Sequence, residues 1–160
     1  MKFSEIREES YHDYLQMVQL FDSYATFQRY VKKIRKMNKL FLKSGAILAG
    51  LSIALGAFGA HTFKIALELS NRTETFETAA RYQMYGALAL IFVGILTDKI
   101  PHKFLIWSGN AFMIGTIIFS GSLYLICATG VTMWGAVAPI GGASLMVGWV
   151  LFFMGVGKIR

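Results

Sequence analysis

Residues 44–60 read SGAILAGLSIALGAFGA, an uncharged run of seventeen positions, and they follow RYVKKIRKMNKLFLK at residues 29–43. A run of this length approaches the roughly 20 helical residues needed to cross a hydrocarbon core of about 30 Å. The cations packed immediately before it suit an anionic membrane surface. A secretory leader carries its apolar region much nearer the N-terminus, so the run is read as a retained span.

Working outward, three further apolar runs cover about 79–96, 104–127 and 139–156. The fold predicted is all-α: a polytopic membrane protein with a four-transmembrane-helix bundle over 42–160 and a cytoplasmic amphipathic, basic N-terminal extension over 1–41. The 160 residues are 55% hydrophobic with a mean hydropathy of +0.51, too apolar for an ordinary soluble domain. Alternating ten-residue strands are absent, which argues against a β-barrel. Pro101 breaks the chain between the second and third spans, and Pro139 suits the first turn of the fourth.

The net charge of +7 raises the question of nucleic acid, but nine of the sixteen Lys and Arg residues lie at or before Lys43. Lys32, Lys33, Arg35, Lys36 and Lys39 are therefore assigned to the membrane surface, with the lipid bilayer and its anionic headgroups as partner and no nucleic acid. In the extension Tyr14, Val18, Phe21 and Ala25, and later Val31 and Ile34, recur at roughly helical spacing. The same pattern fits a helix docked on a partner. Basic residues gather in the N-terminal segment, in the 97–103 connector and in the tail with Lys158 and Arg160. Those three share one side, which the positive-inside rule makes cytoplasmic together with both termini.

Several stretches then resemble one family. They are Gly56-Ala57-Phe58-Gly59-Ala60-His61, Phe76-Glu77-Thr78-Ala79-Ala80-Arg81-Tyr82-Gln83-Met84-Tyr85, Phe119-Ser120-Gly121-Ser122-Leu123-Tyr124 with Thr129-Gly130, and Pro139-Ile140-Gly141-Gly142 with Gly148-Trp149. In this order they resemble the small membrane proteins grouped as domain of unknown function 423, related to transmembrane protein 256, over roughly residues 42–157. The resemblance implies a four-helix membrane fold and no particular activity. It also implies a histidine after the Tyr-Gln-Met-Tyr stretch, where this chain has Gly86, so a histidine-based proton or metal role does not carry over. The first forty residues lie outside the resemblance.

Placed by depth, these motifs all fall in the outer half. His61, Glu77, Arg81, Gln83 and Tyr124 are the candidate lining of an outward-facing polar pocket, since polar groups at membrane depth often mark function. The competing expectation is that they satisfy one another while small residues set the packing, with Gly56, Gly59, Gly121, Gly141 and Gly142 as the close-approach positions. Glu77 and Arg81 stand one turn apart in the favourable order for an ion pair, and Asn71 is expected to cap the helix that follows. Asn110 is expected to bond between helices. Trp107 and Trp134 are expected as interfacial anchors, and Trp149 as a packing residue.

No catalytic residue, metal site or cofactor is assigned. His12, His61 and His102 lie apart, and Cys127 reads as a small hydrophobe. The sequon Asn71-Arg72-Thr73 sits too close to the membrane to expect use. No phosphate-binding loop, dinucleotide fingerprint, paired intramembrane carboxylates or cysteine cluster is present. The leading expectation is a structural or accessory subunit of a membrane complex in the bacterial plasma membrane, with a membrane-protein partner or a second copy against its small-residue faces. The alternative is a small transporter or channel using the outer pocket. Third comes an enzyme acting on an anionic headgroup through Arg81, Glu77 and His61.

Overall fold

The computed structural model describes the backbone of residues 3–157 and the side chains of residues 19, 20 and 22–157. The expectations resting on His12, Tyr14, Val18, Phe21, Lys158 and Arg160 lie outside the described side chains. The chain forms α1 (Phe3–Ala60), a short α2 (Lys64–Leu69), α3 (Thr73–Lys99), α4 (Lys103–Thr129), a 3-10 turn (Thr132–Ala136) and α5 (Ala138–Val156). Four segments are long and apolar enough to cross a membrane: Asp22–Ala60, Thr73–Lys99, Lys103–Thr129 and Thr132–Val156. The protein is an all-α integral membrane protein with four spans.

Helix boundaries follow local chemistry. Pro101 cannot continue α3, and His102 caps α4 by accepting a hydrogen bond from the Phe104 amide at 3.3 Å. At the other end of α4, Gly130 adopts φ +73, the left-handed conformation that glycine takes without strain to close a helix. Pro139 sits in the first turn of α5 as expected.

One expectation about the connections changes. The segment between the first two spans is mostly helical, with α2 and the early turns of α3 occupying it. Asn71 does not cap α3, whose N-cap is Arg72 without a side-chain bond. It takes φ 53 and ends α2 instead, with the Arg72 amide bonded to the Leu67 carbonyl at 2.8 Å and its own amide to Glu68 at 3.1 Å. The extension is helical, as its spacing predicts, and it continues into the first span. α1 runs unbroken for 58 residues, about 87 Å at 1.5 Å per residue.

α3 and α4 form the centre, with α1 packed mainly on α3 and α5 mainly on α4. Phe41, Leu90, Val93 and Phe112 are fully buried at their meeting point. In hydrocarbon such apolar contacts gain little over lipid, so the helices are held by close fit and interhelical hydrogen bonds. Between α1 and α3, Ser52 donates to the Ala80 carbonyl at 2.8 Å, Gln83 to the Leu48 carbonyl at 2.9 Å and Asn38 to the Asp98 carboxylate at 2.8 Å. Between α4 and α5, Ser108 donates to Gly148 and Ser144 to Ala111, at 2.8 and 2.9 Å. Ser108 rather than Asn110 thus supplies the polar tie on α4.

The packing glycines divide. Gly141 sets α5 directly on the α4 backbone, where a Cβ would collide with the amide nitrogen of Phe119, and Gly59 leaves room for the Phe76 ring 2.6 Å from where its Cβ would stand. Gly56 and Gly121 face open space and Gly142 has ordinary clearance, so these three do not set the interhelical distance. The sequence marked them because local glycine density does not say which face meets a neighbour. Gly86, by contrast, is needed: a Cβ there would overlap the Thr116 hydroxyl.

These clearances separate two substitutions one residue apart. Gly141→Ala is expected to destabilise the protein by ~1–3 kcal/mol, the usual cost of overpacking, because backbone rather than a side-chain tip must yield. Gly142→Ala should stay within ~0.5 kcal/mol or gain slightly from helix propensity. Reversible unfolding in mixed micelles followed by far-UV circular dichroism reads both, and equal losses would refute the assignment.

Candidate functional site

The end of the bundle opposite the N-terminal arm carries most of the candidate residues. There α1 stops at Ala60, the chain turns through His61 and Thr62, and α2 crosses to α3. Only Leu67 of α2 is buried, so this short helix rests on the bundle by a single apolar side chain. Phe76, in the first turns of α3, is the hub of this end. Its ring lies 6.3 Å from that of Phe63 and 5.2 Å from that of Tyr124, both edge-on.

Phe76 separates two concavities. One, of about 430 Å³, is almost wholly apolar and is lined by Leu55, Phe63, Leu67, Tyr124 and Cys127. The other, of about 250 Å³, is lined by Gly56, Gly59, Thr73, Glu77 and Arg81. The first falls near the lower end of the size range of small-ligand pockets and the second below it.

The five residues expected to line one polar pocket do not converge. Glu77 and Arg81 share the smaller cleft and approach to 3.9 Å, but their side chains are 63% and 58% exposed, so the pair contributes little to stability. Gln83, two residues beyond Arg81, is turned toward α1 and spends its amide on Leu48. Tyr124 lies across Phe76 in the other concavity. His61 is exposed on the turn and lines neither. Helical periodicity explains the scatter: residues four apart share a face, whereas residues two apart face nearly opposite ways. The physical content of the expected pocket reduces to the Glu77–Arg81 cleft.

A polar feature of which the sequence marked only Tyr124 as a site candidate runs along α4. Thr116, Ser120 and Tyr124 follow one another at intervals of four, and each hydroxyl is buried without a hydrogen-bond partner. Elsewhere Ser122 and Thr129 bond back to the carbonyls of Phe119 and Leu125 at 2.8 and 2.6 Å. The spacing was legible, but such hydroxyls ordinarily satisfy themselves this way. Cys127 lies at the end of the same helix, half-buried, its thiol 3.8 Å from the Arg72 carbonyl.

At the arm end the five cations Lys32, Lys33, Arg35, Lys36 and Lys39 are all exposed. On the other side of the same helix Ile34, Asn38 and Phe41 are buried. The inward-facing line therefore runs through Val31 and Ile34 but not through Ala25, which is exposed. The Tyr30 hydroxyl donates to the Pro101 carbonyl at 3.3 Å, so the connector between α3 and α4 lies under the arm. Trp149 meets Phe112 and Phe152 edge-on but is 52% exposed, so it packs on one side only, and Trp107 and Trp134 are exposed as well.

A family model described as a protein of unknown function, DUF423, matches residues 55–142. The UPF0382 membrane protein SSP2132 of Staphylococcus saprophyticus is 36% identical over 121 residues, covering 76% of this chain and 99% of its own length. The UPF0382 membrane protein YwdK of Bacillus subtilis is 34% identical, with 75% and 98% covered. The UPF0382 inner membrane protein YgdD of Escherichia coli K12 is 30% identical, with 77% and 93% covered. No solved structure matches.

The unpartnered Tyr124 hydroxyl gives a test of whether this end holds anything. Removing a buried hydroxyl that bonds to nothing is neutral or stabilising, whereas removing a bonded one costs about 1 kcal/mol. Tyr124→Phe should therefore leave stability in micelles unchanged or raise it, while Gln83→Leu, which loses the bond to Leu48, should lower it by ~0.6 kcal/mol. A clear loss for Tyr124→Phe in native lipid but not in detergent would mean that a lipid-derived group occupies the hydroxyl.

Proposed function

The chain belongs to the DUF423 family of membrane proteins, and from that premise we propose that it serves as a structural or accessory subunit of a membrane complex, with the arm end of the bundle in the cytoplasm. The observation carrying this reading is that α1 outlasts the bundle. Beyond Val31 toward the N-terminus its described side chains are exposed, and they include Leu20, Tyr24, Phe27 and Tyr30 at 42% or more. A chain that spends this much ordered helix outside its own core is built to present it. The flanking helices agree, since only 17% of the most apolar window of α1 and of the last span is buried.

The transport reading finds less support. A permeation route would have to pass the level of Phe41, Leu90, Val93 and Phe112, which fill the centre without a polar lining. The Glu77–Arg81 cleft stops at Phe76 and Ala80. An enzymatic use of His61 with Glu77 and Arg81 is disfavoured because His61 stands outside that cleft.

Orientation rests on cation placement. The arm with Lys32–Lys39, and Lys99 and Lys103 beside the α3–α4 connector, lie at the same end. Positive residues at one end favour a cytoplasmic location there. The relative named as an inner membrane protein supports the bacterial plasma membrane as the site.

Extraction from native membranes in a mild detergent should yield a particle whose protein mass is several-fold the 17.8 kDa of one chain, and multi-angle scattering measures this with the micelle subtracted. A lone monomer would overturn the subunit reading. For orientation, in a Cys127→Ser background, a membrane-impermeant maleimide applied to intact cells should label Glu68→Cys and spare Lys36→Cys. The reverse pattern would invert the protein.

A further inference from the structure

Because α1 sits mainly on α3 and α5 mainly on α4, a crevice is left between α1 and α4 at the end opposite the arm. It is the apolar concavity of about 430 Å³, walled by Leu55 of α1, Phe76 of α3 and Tyr124 and Cys127 of α4, with Phe63 and Leu67 closing it over. An enclosed apolar cavity of about 150 Å³ already takes up benzene. The surroundings of the crevice are apolar as well. Ile65 and Leu69 of α2 are 72% and 82% exposed, as suits a short helix whose outer side rests in the bilayer interface. The mouth of the crevice therefore opens to lipid.

One polar group on these walls is left over. Ser70 donates to the Ala66 and Leu67 carbonyls at 2.8 and 3.2 Å, and the Cys127 thiol to the Arg72 carbonyl at 3.8 Å. The Tyr124 hydroxyl is buried and bonded to nothing. A trapped water needs about two to four polar partners and finds one here. A hydrocarbon chain alone would leave the hydroxyl unbonded, and a small polar solute would leave the apolar walls bare. An apolar chain carrying a hydrogen-bond acceptor satisfies both.

Depth identifies that molecule. From Lys103 at the start of α4 to Tyr124 is 124 − 103 = 21 residues, about 32 Å along the helix and so one hydrocarbon thickness of roughly 30 Å. With Lys103 at one interface the Tyr124 hydroxyl stands at the other, at the level of phospholipid ester carbonyls. Arg72 marks the edge of the crevice through its carbonyl contact with Cys127. Its side chain makes no capping bond to α3 and takes part in neither ion pair among the described residues. We propose that the crevice binds one phospholipid of the leaflet opposite the arm. Its ester carbonyl accepts from the Tyr124 hydroxyl, the upper part of that acyl chain fills the space under α2, and its phosphate meets Arg72. Entry is lateral, between α1 and α4, and the site is independent of the subunit reading.

The test uses the full chain in vesicles of phosphatidylethanolamine and phosphatidylglycerol, doped with a phosphatidylglycerol that carries a diazirine on one acyl chain close to its ester. After irradiation, adducts are expected on the peptides holding Phe63–Ser70 and Tyr124–Ala128. They should exceed about fivefold those around Ile140, which is exposed to lipid at the same end of the bundle. Tyr124→Phe should lower the crevice adducts about fivefold, the worth of one hydrogen bond. Arg72→Gln should lower them by a similar factor, yet leave unchanged the adducts formed by the methyl ester of the same diazirine fatty acid, which has the ester but no phosphate. Equal labelling around Ile140, or crevice labelling that Tyr124→Phe does not change, would mean ordinary contact with surrounding lipid and overturn the proposal. So would an Arg72→Gln variant that lowers neither probe or both alike. A lone monomer after extraction would end the subunit reading and leave this site standing.

Discussion

Four helices in hydrocarbon cannot rely on the force that assembles soluble proteins, because lipid tails solvate leucine as well as another leucine does. What remains is close approach of backbones and a few hydrogen bonds. The contact on which the rest depends is therefore the one between the two central helices, where Gly86 of α3 admits the Thr116 side chain of α4. A side chain at residue 86 would push these helices apart, and α1 and α5, each seated mainly on one of them, would follow. The fully buried Phe41 and Phe112 then lock α1 into the resulting groove.

The same constraint explains why polar residues are placed where they are. Each interhelical hydrogen bond pairs a side-chain donor with a carbonyl or carboxylate on the adjacent helix: Ser52 and Gln83 tie α1 to α3, and Ser108 and Ser144 tie α4 to α5. Water is absent from hydrocarbon, so these bonds tie the helices together even at well under 1 kcal/mol each. Glu77 and Arg81, which look more functional on paper, are exposed at the rim and contribute less to holding the fold.

The number and type of the helices were legible in the sequence because length and apolarity alone identify a span. The site was not. Gly56, Gly121 and Gly142 are chemically identical to Gly59 and Gly141, and only the rotation of each helix decides which of them meets a neighbour. Likewise His61, Glu77, Arg81, Gln83 and Tyr124 share a depth but not a direction, and depth is all that a sequence read as spans supplies. Asn71 shows the local version of the limit. It is a good cap by composition, yet α2 lies just before it, and the left-handed turn closing that helix takes the asparagine first.

The arm was read from the sequence as an accessory to the membrane surface, with its cations as the informative residues. The structure shifts the emphasis to the helix that carries them. Leaving the bundle unbroken makes α1 a single rigid element with two environments. Asn38 marks the junction: its amide is held by Asp98 at the end of α3, while Tyr30 is held by Pro101 just beyond. Those two bonds fix the direction in which the arm leaves the bundle. The arm is thereby held in a fixed orientation to the spans, which is what the proposed accessory role requires and what a flexible tether would not give.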